Sequence, residues 1–412
     1  MPNQFLFEEG PFNVANDIEE SFATDYWLFE QYIGDQLFVW GNNGSGQIGD
    51  NTRNLGATSR STPKQEFTSS TNWKQVVRGG PYSAAIKTDG TLWCWGNNLN
   101  GQVADNTNVN RSTPRQEITS NTNWKQIAGG QSHTAAIKTD GTLWCWGQNI
   151  AGEIGDNTAG STIGRSTPRQ EITSSTNWKQ VACGTNYTAA IKTDGTLWCW
   201  GINSSGQIGD NTIIARSTPR QELTSSTNWK QVSCGYTHAA AIKTNGTLWC
   251  WGSNGNGQIG DNTFGATGRS TPRQEITSST NWKQVSAGAN NTTAIKTNGT
   301  LWCWGQNDLG QIGDNTVGNS RSTPVQEWTS STNWKQVSAS DHTAAIKTDG
   351  TLWCWGNNSS GQLGDFTLFN RSTPRQEITS STNWKQVSLG AGGINTAAIK
   401  TGINIDTGIP TN

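Results

Sequence analysis

From Leu37 onward the chain alternates short apolar runs with stretches of Ser, Thr, Asn and Gly, and the alternation keeps returning to the same letters. In one copy, Trp124-Lys125-Gln126-Ile127 opens a run (strand A). Thr134–Lys138 follows as strand B, Thr142–Trp146 as strand C and Pro168–Ile172 as strand D. Runs this short, rich in Val, Ile, Thr and Trp and bounded by turn residues, predict strands. Between B and C stands Asp140-Gly141, matched elsewhere by Asp89-Gly90, Asp194-Gly195, Asn245-Gly246, Asn298-Gly299 and Asp349-Gly350. Such pairs predict a tight two-residue type I′ hairpin. Every D run carries a proline near its start, from Pro63 to Pro374. Proline lacks the N–H that a ladder needs, so D is expected at an outer edge.

The period decides the architecture. The string Thr-Leu-Trp-Cys-Trp-Gly ends at Gly96, Gly147, Gly201, Gly252, Gly305 and Gly356, and a relative of it ends at Gly41. Successive tryptophans of this motif, from Trp40 to Trp355, are 51 to 55 residues apart. A constant period of that size marks a solenoid or a propeller. The ends choose between them. The first repeat has a C strand (Leu37–Trp40) and a D strand (Pro63–Phe67) without A and B, and the last has A (Trp384–Val387) and B (Thr396–Lys400) without C and D. The two halves complete one sheet only if the chain closes on itself. The expectation is an all-β, seven-bladed β-propeller of four-stranded antiparallel blades, closed by strands from both termini and covering residues 37–402. An arm (1–36) and a tail (403–412) flank it.

Trp200-Gly201-Ile202-Asn203, running on to Asp210, gives the pattern CWGxNxxGQIGD. With WKQVxxG and HTAAIKTDGTLW, it resembles the regulator of chromosome condensation repeat family in its bacterial or viral form. The resemblance spans most of the chain and implies a seven-bladed propeller. It leaves function open, because members of that family act in guanine-nucleotide exchange on a GTPase, in ultraviolet sensing and in inhibition of β-lactamases.

Composition narrows the partners. The net charge is −1, with acids and bases interspersed in every repeat, so no basic stripe for nucleic acid is visible along the chain. No apolar run is long enough for a membrane span, and the N-terminus has no basic, apolar signal-type segment. Synthesis in a cytoplasm is the expectation. Six of the eight cysteines recur at one place in separate sheets, and Cys183 and Cys234 lie away from them. Sheets packed about 10 Å apart are too far for bridges, so all eight are expected as free, buried thiols.

Candidate chemistry is sparse. His133, His238 and His342 share one position in the A–B turn, where other copies have Tyr or Asn, and a turn-stabilising role is expected. An Asp and an Arg flank one loop in every copy, as Asp210 and Arg216 do, and read as ion pairs at the loop base. No catalytic signature, metal set or cofactor motif stands out, so no enzyme activity and no cofactor are expected. Variation is concentrated in the C–D loops, which hold between three and seven residues in otherwise near-identical surroundings. Leu55, Val109, Ile163, Ile213, Ile214, Phe264, Val317, Leu368 and Phe369 are the candidate contact residues there. In the arm, Tyr26, Trp27, Leu28 and Phe29 form a candidate docking segment. The expected function is a non-enzymatic interaction protein offering a loop rim to a protein or glycan. A phage virion appendage is one form of it, with the arm joining a virion or self-assembly partner. The alternative is a cytosolic regulator of a GTPase or another enzyme.

Overall fold

The computed structural model describes residues 34–53, 59–160, 164–390, 392 and 394–402 (backbone only at 266–267). Six blades run A-B-C-D in sequence, and blade 2 shows the pattern: A Trp124–Gly129, B His133–Lys138, C Leu143–Gly147, D Arg165–Gln170. Blade 1 holds residues 73–116, blade 3 178–221, blade 4 229–274, blade 5 282–326 and blade 6 334–376. The seventh sheet joins C (Gln36–Gly41) and D (Arg60–Gln65) from the start of the chain to A (Trp384–Leu389) and B (Asn395–Lys400) from its end. The fold expected from the repeat is the fold observed. In that closing blade Leu37 pairs with Ile399 and Val39 with Ala397.

Two local expectations are corrected. The B–C connection is not a type I′ turn: Gly90 has φ +78°, but Asp89 is not among the residues with positive φ. Gly90 N–H bonds to Lys87 O (3.0 Å), and Asp89 Oδ1 accepts from Thr91 N–H (2.9 Å) and Thr91 Oγ1 (2.7 Å). This is a type I turn followed by a glycine in the left-handed region, a three-residue loop. The aspartate side chain selects it by holding the threonine two residues on. Strand D also starts and ends earlier than its apolar letters predict. In blade 2 it begins at Arg165, opposite Gly147, and stops at Gln170. Ile172 lies past its end, bonded to Gly155 O (3.0 Å) and exposed. D remains the outer strand of every sheet, as its proline requires.

Blades are joined by side chains as well as by apolar packing. The second motif tryptophan is fully buried, and its indole N–H reaches a backbone carbonyl of the preceding blade, as from Trp146 to Gln102 O (3.0 Å) and, across the closure, from Trp40 to Gln362 O (2.9 Å). Gly49 (φ +79°) lies against the Trp95 indole so closely that a Cβ would fall 2.6 Å from Nε1. Around the axis, each A-strand glutamine bridges to a neighbouring A strand. Gln180 Nε2 donates to Val232 O (3.0 Å), Gln231 Nε2 to Val285 O (3.1 Å) and Gln386 Nε2 to Val76 O (3.1 Å), which closes the ring. The A strand's own tryptophan donates to the buried glutamate that follows the preceding strand D, as Trp229 does to Glu222 (3.1 Å). All eight cysteines are free and buried.

Candidate functional site: the C–D loop face

In each blade the start of B, the end of C and the start of D lie side by side, as His133, Gly147 and Arg165 do. The A–B turns and C–D loops therefore emerge on one face, and the B–C turns on the other.

Each C–D loop stands on a fixed base. In blade 3, Asp210 accepts from Arg216 Nε (2.9 Å) and Nη2 (2.6 Å), from Thr212 N–H (3.1 Å) and from Asn203 Nδ2 (3.2 Å). The same ion pair recurs from Arg60–Asp50 to Arg371–Asp365. Burial pushes these carboxyls up, but the hydrogen bonds from Thr and Arg outweigh it and hold them below their ordinary value. The expected loop-base role is what the geometry shows.

Above that base the apolar letters point into solvent. Val109, Ile213, Ile214, Phe264, Val317, Leu368 and Phe369 are all exposed, from 53% for Val109 to 73% for Phe369. Leu55 and Ile163, and Tyr26, Trp27, Leu28 and Phe29 of the arm, lie outside the described residues. Sequence reasoning missed Leu99 (66% exposed) and Ile150 (50%), and it missed Phe366 (73%). Phe366 occupies the place of Asn51, Asn106, Asn157, Asn211, Asn262 and Asn315, all at φ near +60°, and itself has φ +62°. Asn tolerates that left-handed conformation and an aromatic residue rarely adopts it, so Phe366 is held there by its surroundings. Its N–H bonds to Ser61 O (3.0 Å) of the closing blade. The signal was in the sequence, as the one break in a run of Asp-Asn-Thr. With Leu368 and Phe369 it makes the densest run of exposed apolar residues among the described residues of the rim.

The histidines are not turn braces alone. His133 Nε2 lies 3.0 Å from Thr188 Oγ1 of the next blade, His238 Nε2 3.0 Å from Thr292 Oγ1, and His342 Nε2 2.8 Å from Thr396 Oγ1. They are inter-blade locks. Among the described residues, no group of three or more His, Cys, Asp or Glu is placed to hold a metal ion.

A rigid, closed ring with uniform loop bases and unlike loop tips is a scaffold of the repeat-propeller class. The chain belongs to the RCC1-like domain family, whose model matches residues 124–405; models of the regulator of chromosome condensation (RCC1) repeat match residues 89–137 and 74–102. It is 29% identical over 343 residues to the ultraviolet-B receptor UVR8 of Arabidopsis thaliana, covering 80% of this chain and 75% of that one. It is 26% identical to human E3 ubiquitin-protein ligase HERC2 over 81% of this chain but only 7% of the ligase. Among solved structures it resembles Prp20p of Saccharomyces cerevisiae (TM-score 0.78, 19% identity, 93% of this chain and 95% of that one). It also resembles human WBSCR16 (TM-score 0.77, 20% identity, 90% and 100%). At that identity the structures speak for the fold.

Proposed function

We propose that this protein is a non-enzymatic binding propeller whose C–D loop face engages a partner protein. One observation carries the reading: apolar side chains at the variable positions of the C–D loops stand more than half exposed, above loop bases that do not vary. Isolated surface apolar residues are ordinary, but a rim of them at the variable positions of a constant scaffold is a contact surface. The cluster of Phe366, Leu368 and Phe369 supplies aromatic anchors of the kind that dominate binding energy. Regulation of a GTPase is the second reading. The yeast propeller with this fold is described by its binding to Gsp1p and histones, and a protein partner of that sort fits the same face. Nothing in the relatives or the fold supports the virion or glycan forms expected from the sequence.

The test is capture from native lysate by the intact chain and by a Leu368→Ser/Phe369→Ser variant. The proposal expects a specific protein retained by the first and lost or strongly reduced with the second. Equal capture by both would overturn it.

A further inference from the structure

A cavity of about 220 Å³ on the propeller axis is lined by the A strands of all seven blades. Among the described residues that line it, one is charged: Arg78, the last residue of blade 1's A strand. The other blades end that strand in Gly129, Cys183, Cys234, Ala287, Ala339 and Leu389, so the repeat itself does not call for a cation there. Arg78 is only 1% exposed. Its Nη1 donates to Gln47 O (3.0 Å) and to Ser83 Oγ, and its Nη2 to Asn395 Oδ1 (2.9 Å) and Gly80 O (3.4 Å). All four acceptors are neutral, and Nε is buried without a hydrogen-bond partner. Burial lowers the guanidinium pKa to about 9, which still leaves it charged at neutral pH. A buried cation with no counter-charge and an unmet N–H is costly to keep. Nε is the guanidinium nitrogen closest along the side chain to the strand that walls the cavity.

The same wall carries hydroxyl donors, gathered on one side of the ring. The fifth residue of the A strand is Ser233, Ser286, Ser338 and Ser388 in blades 4, 5, 6 and the closing blade. In blades 1 to 3 it is Val77, Ala128 and Ala182. Each serine oxygen accepts an N–H from the next blade: from Ala287 (2.9 Å), Ala339 (3.0 Å), Leu389 (2.9 Å) and Arg78 (3.1 Å) respectively. With a lone pair used in this way, each hydroxyl keeps its proton to donate, and none of the four has an acceptor among the described residues. The arc of serines ends at Arg78, to which Ser388 is joined directly.

We propose that the axial cavity binds a small oxyanion, a carboxylate or an inorganic one, which accepts from Arg78 Nε–H and the Ser388 hydroxyl at the seam between the closing blade and blade 1. Charge-assisted hydrogen bonds of this kind are the strong ones, and separate oxygens of one anion meet the guanidinium and the hydroxyl together. The apolar arc of Val77, Ala128 and Ala182 offers contact to a short alkyl chain, which a carboxylate brings and an inorganic ion does not. The site lies on the axis and not on the loop rim, so this inference does not depend on the proposed function.

Isothermal titration calorimetry of the intact chain with sulfate and with butyrate, at neutral pH, tests it. Expected is saturable uptake of at least one of them, with a melting temperature that rises as it binds. Tighter butyrate assigns a carboxylate ligand, and tighter sulfate an inorganic one. Arg78→Leu, the residue that Leu389 supplies at the same place in the closing blade, should abolish the uptake. Ser388→Ala, which matches Ala128 and Ala182, should weaken it several-fold. Both variants keep the surface charges, so general effects of ionic strength cancel in the comparison. Anomalous diffraction from wild-type crystals holding selenate or bromobutyrate, according to the arm that binds, needs no variant and should place a peak beside Arg78 and Ser388. No saturable uptake of either anion by the wild type, equal uptake by Arg78→Leu, or anomalous peaks confined to the outer surface would overturn the proposal.

Discussion

The three histidine locks give the protein an acid sensitivity whose size follows from their geometry. Thr188 Oγ1 donates its proton to Glu153 O (2.9 Å), Thr292 to Gln258 O (2.8 Å) and Thr396 to Gln362 O (2.7 Å). Each threonine can then only accept from the histidine, so His133, His238 and His342 are Nε2–H tautomers. Their Nδ1 atoms are buried without a hydrogen-bond partner, and that of His133 lies 2.4 Å from where a Cβ on Gly130 would stand. A second proton has no acceptor there. Burial accordingly lowers the histidine pKa to about 4 for His133 and His238 and about 3 for His342. Between these values and the 6.5 of an unfolded histidine, the unfolded chain binds more protons than the folded one. Stability is thus complete above about pH 6.5 and is lost as pH falls towards 4. At pH 5 the loss is about 2 kcal/mol for each histidine, or about 6 for the three.

Blade 5 and the closing blade already use Asn291 and Asn395 at this position, so His→Asn is a substitution the fold accepts. Urea unfolding followed by tryptophan fluorescence, at pH 7.5 and pH 5, should show the wild type losing most of that energy and the triple His→Asn variant losing little. Single variants should each recover about a third. The loop-base aspartates titrate lower and lose their contribution only in stronger acid. Burial raises the carboxyls of Glu153 and Asp341, which moves stability the other way, but they are common to both chains and cancel. An equal pH 5 loss in the triple variant would refute the lock.

Two further outcomes follow from the same structure. Phe366→Asn places the residue used by six sister loops at φ +62° and removes a side chain that is 73% exposed, so it should raise stability by about 0.5–1 kcal/mol in urea unfolding while weakening partner capture. A destabilised variant would show that Phe366 is packed in the free protein. Thiol titration should count eight groups after denaturation and almost none before it, since burial pushes every cysteine's pKa up. Any mass change on reduction would contradict that.

The strands, the seven blades and the closure were legible because each repeat states them again, and the two incomplete ends state the rest. What the letters concealed lies between repeats. His133 finds Thr188 in the next blade, and Gln386 finds Val76 across the closure; no local pattern announces either. The turn type turned on a side-chain oxygen of Asp89, which decides the backbone where the Asp-Gly pair alone does not. Ile172 and its sisters read as strand because they are apolar, yet D stops at Gln170 and leaves them in solvent. In the loop rim all nine candidate positions carry apolar letters between the repeated motifs, whereas Phe366 stands inside the Asp-Asn-Thr motif itself, where its letter reads as part of the loop base.

The central claim is that the C–D loop face is where this propeller binds. Hydrogen–deuterium exchange of the protein alone and with its captured partner tests it most directly. The account predicts slowed exchange at 213–215, 264–265 and 366–370, with the B–C turns at 89–90, 140–141 and 194–195 unchanged. Protection of those turns, with the loop amides exchanging as in the free protein, would contradict it.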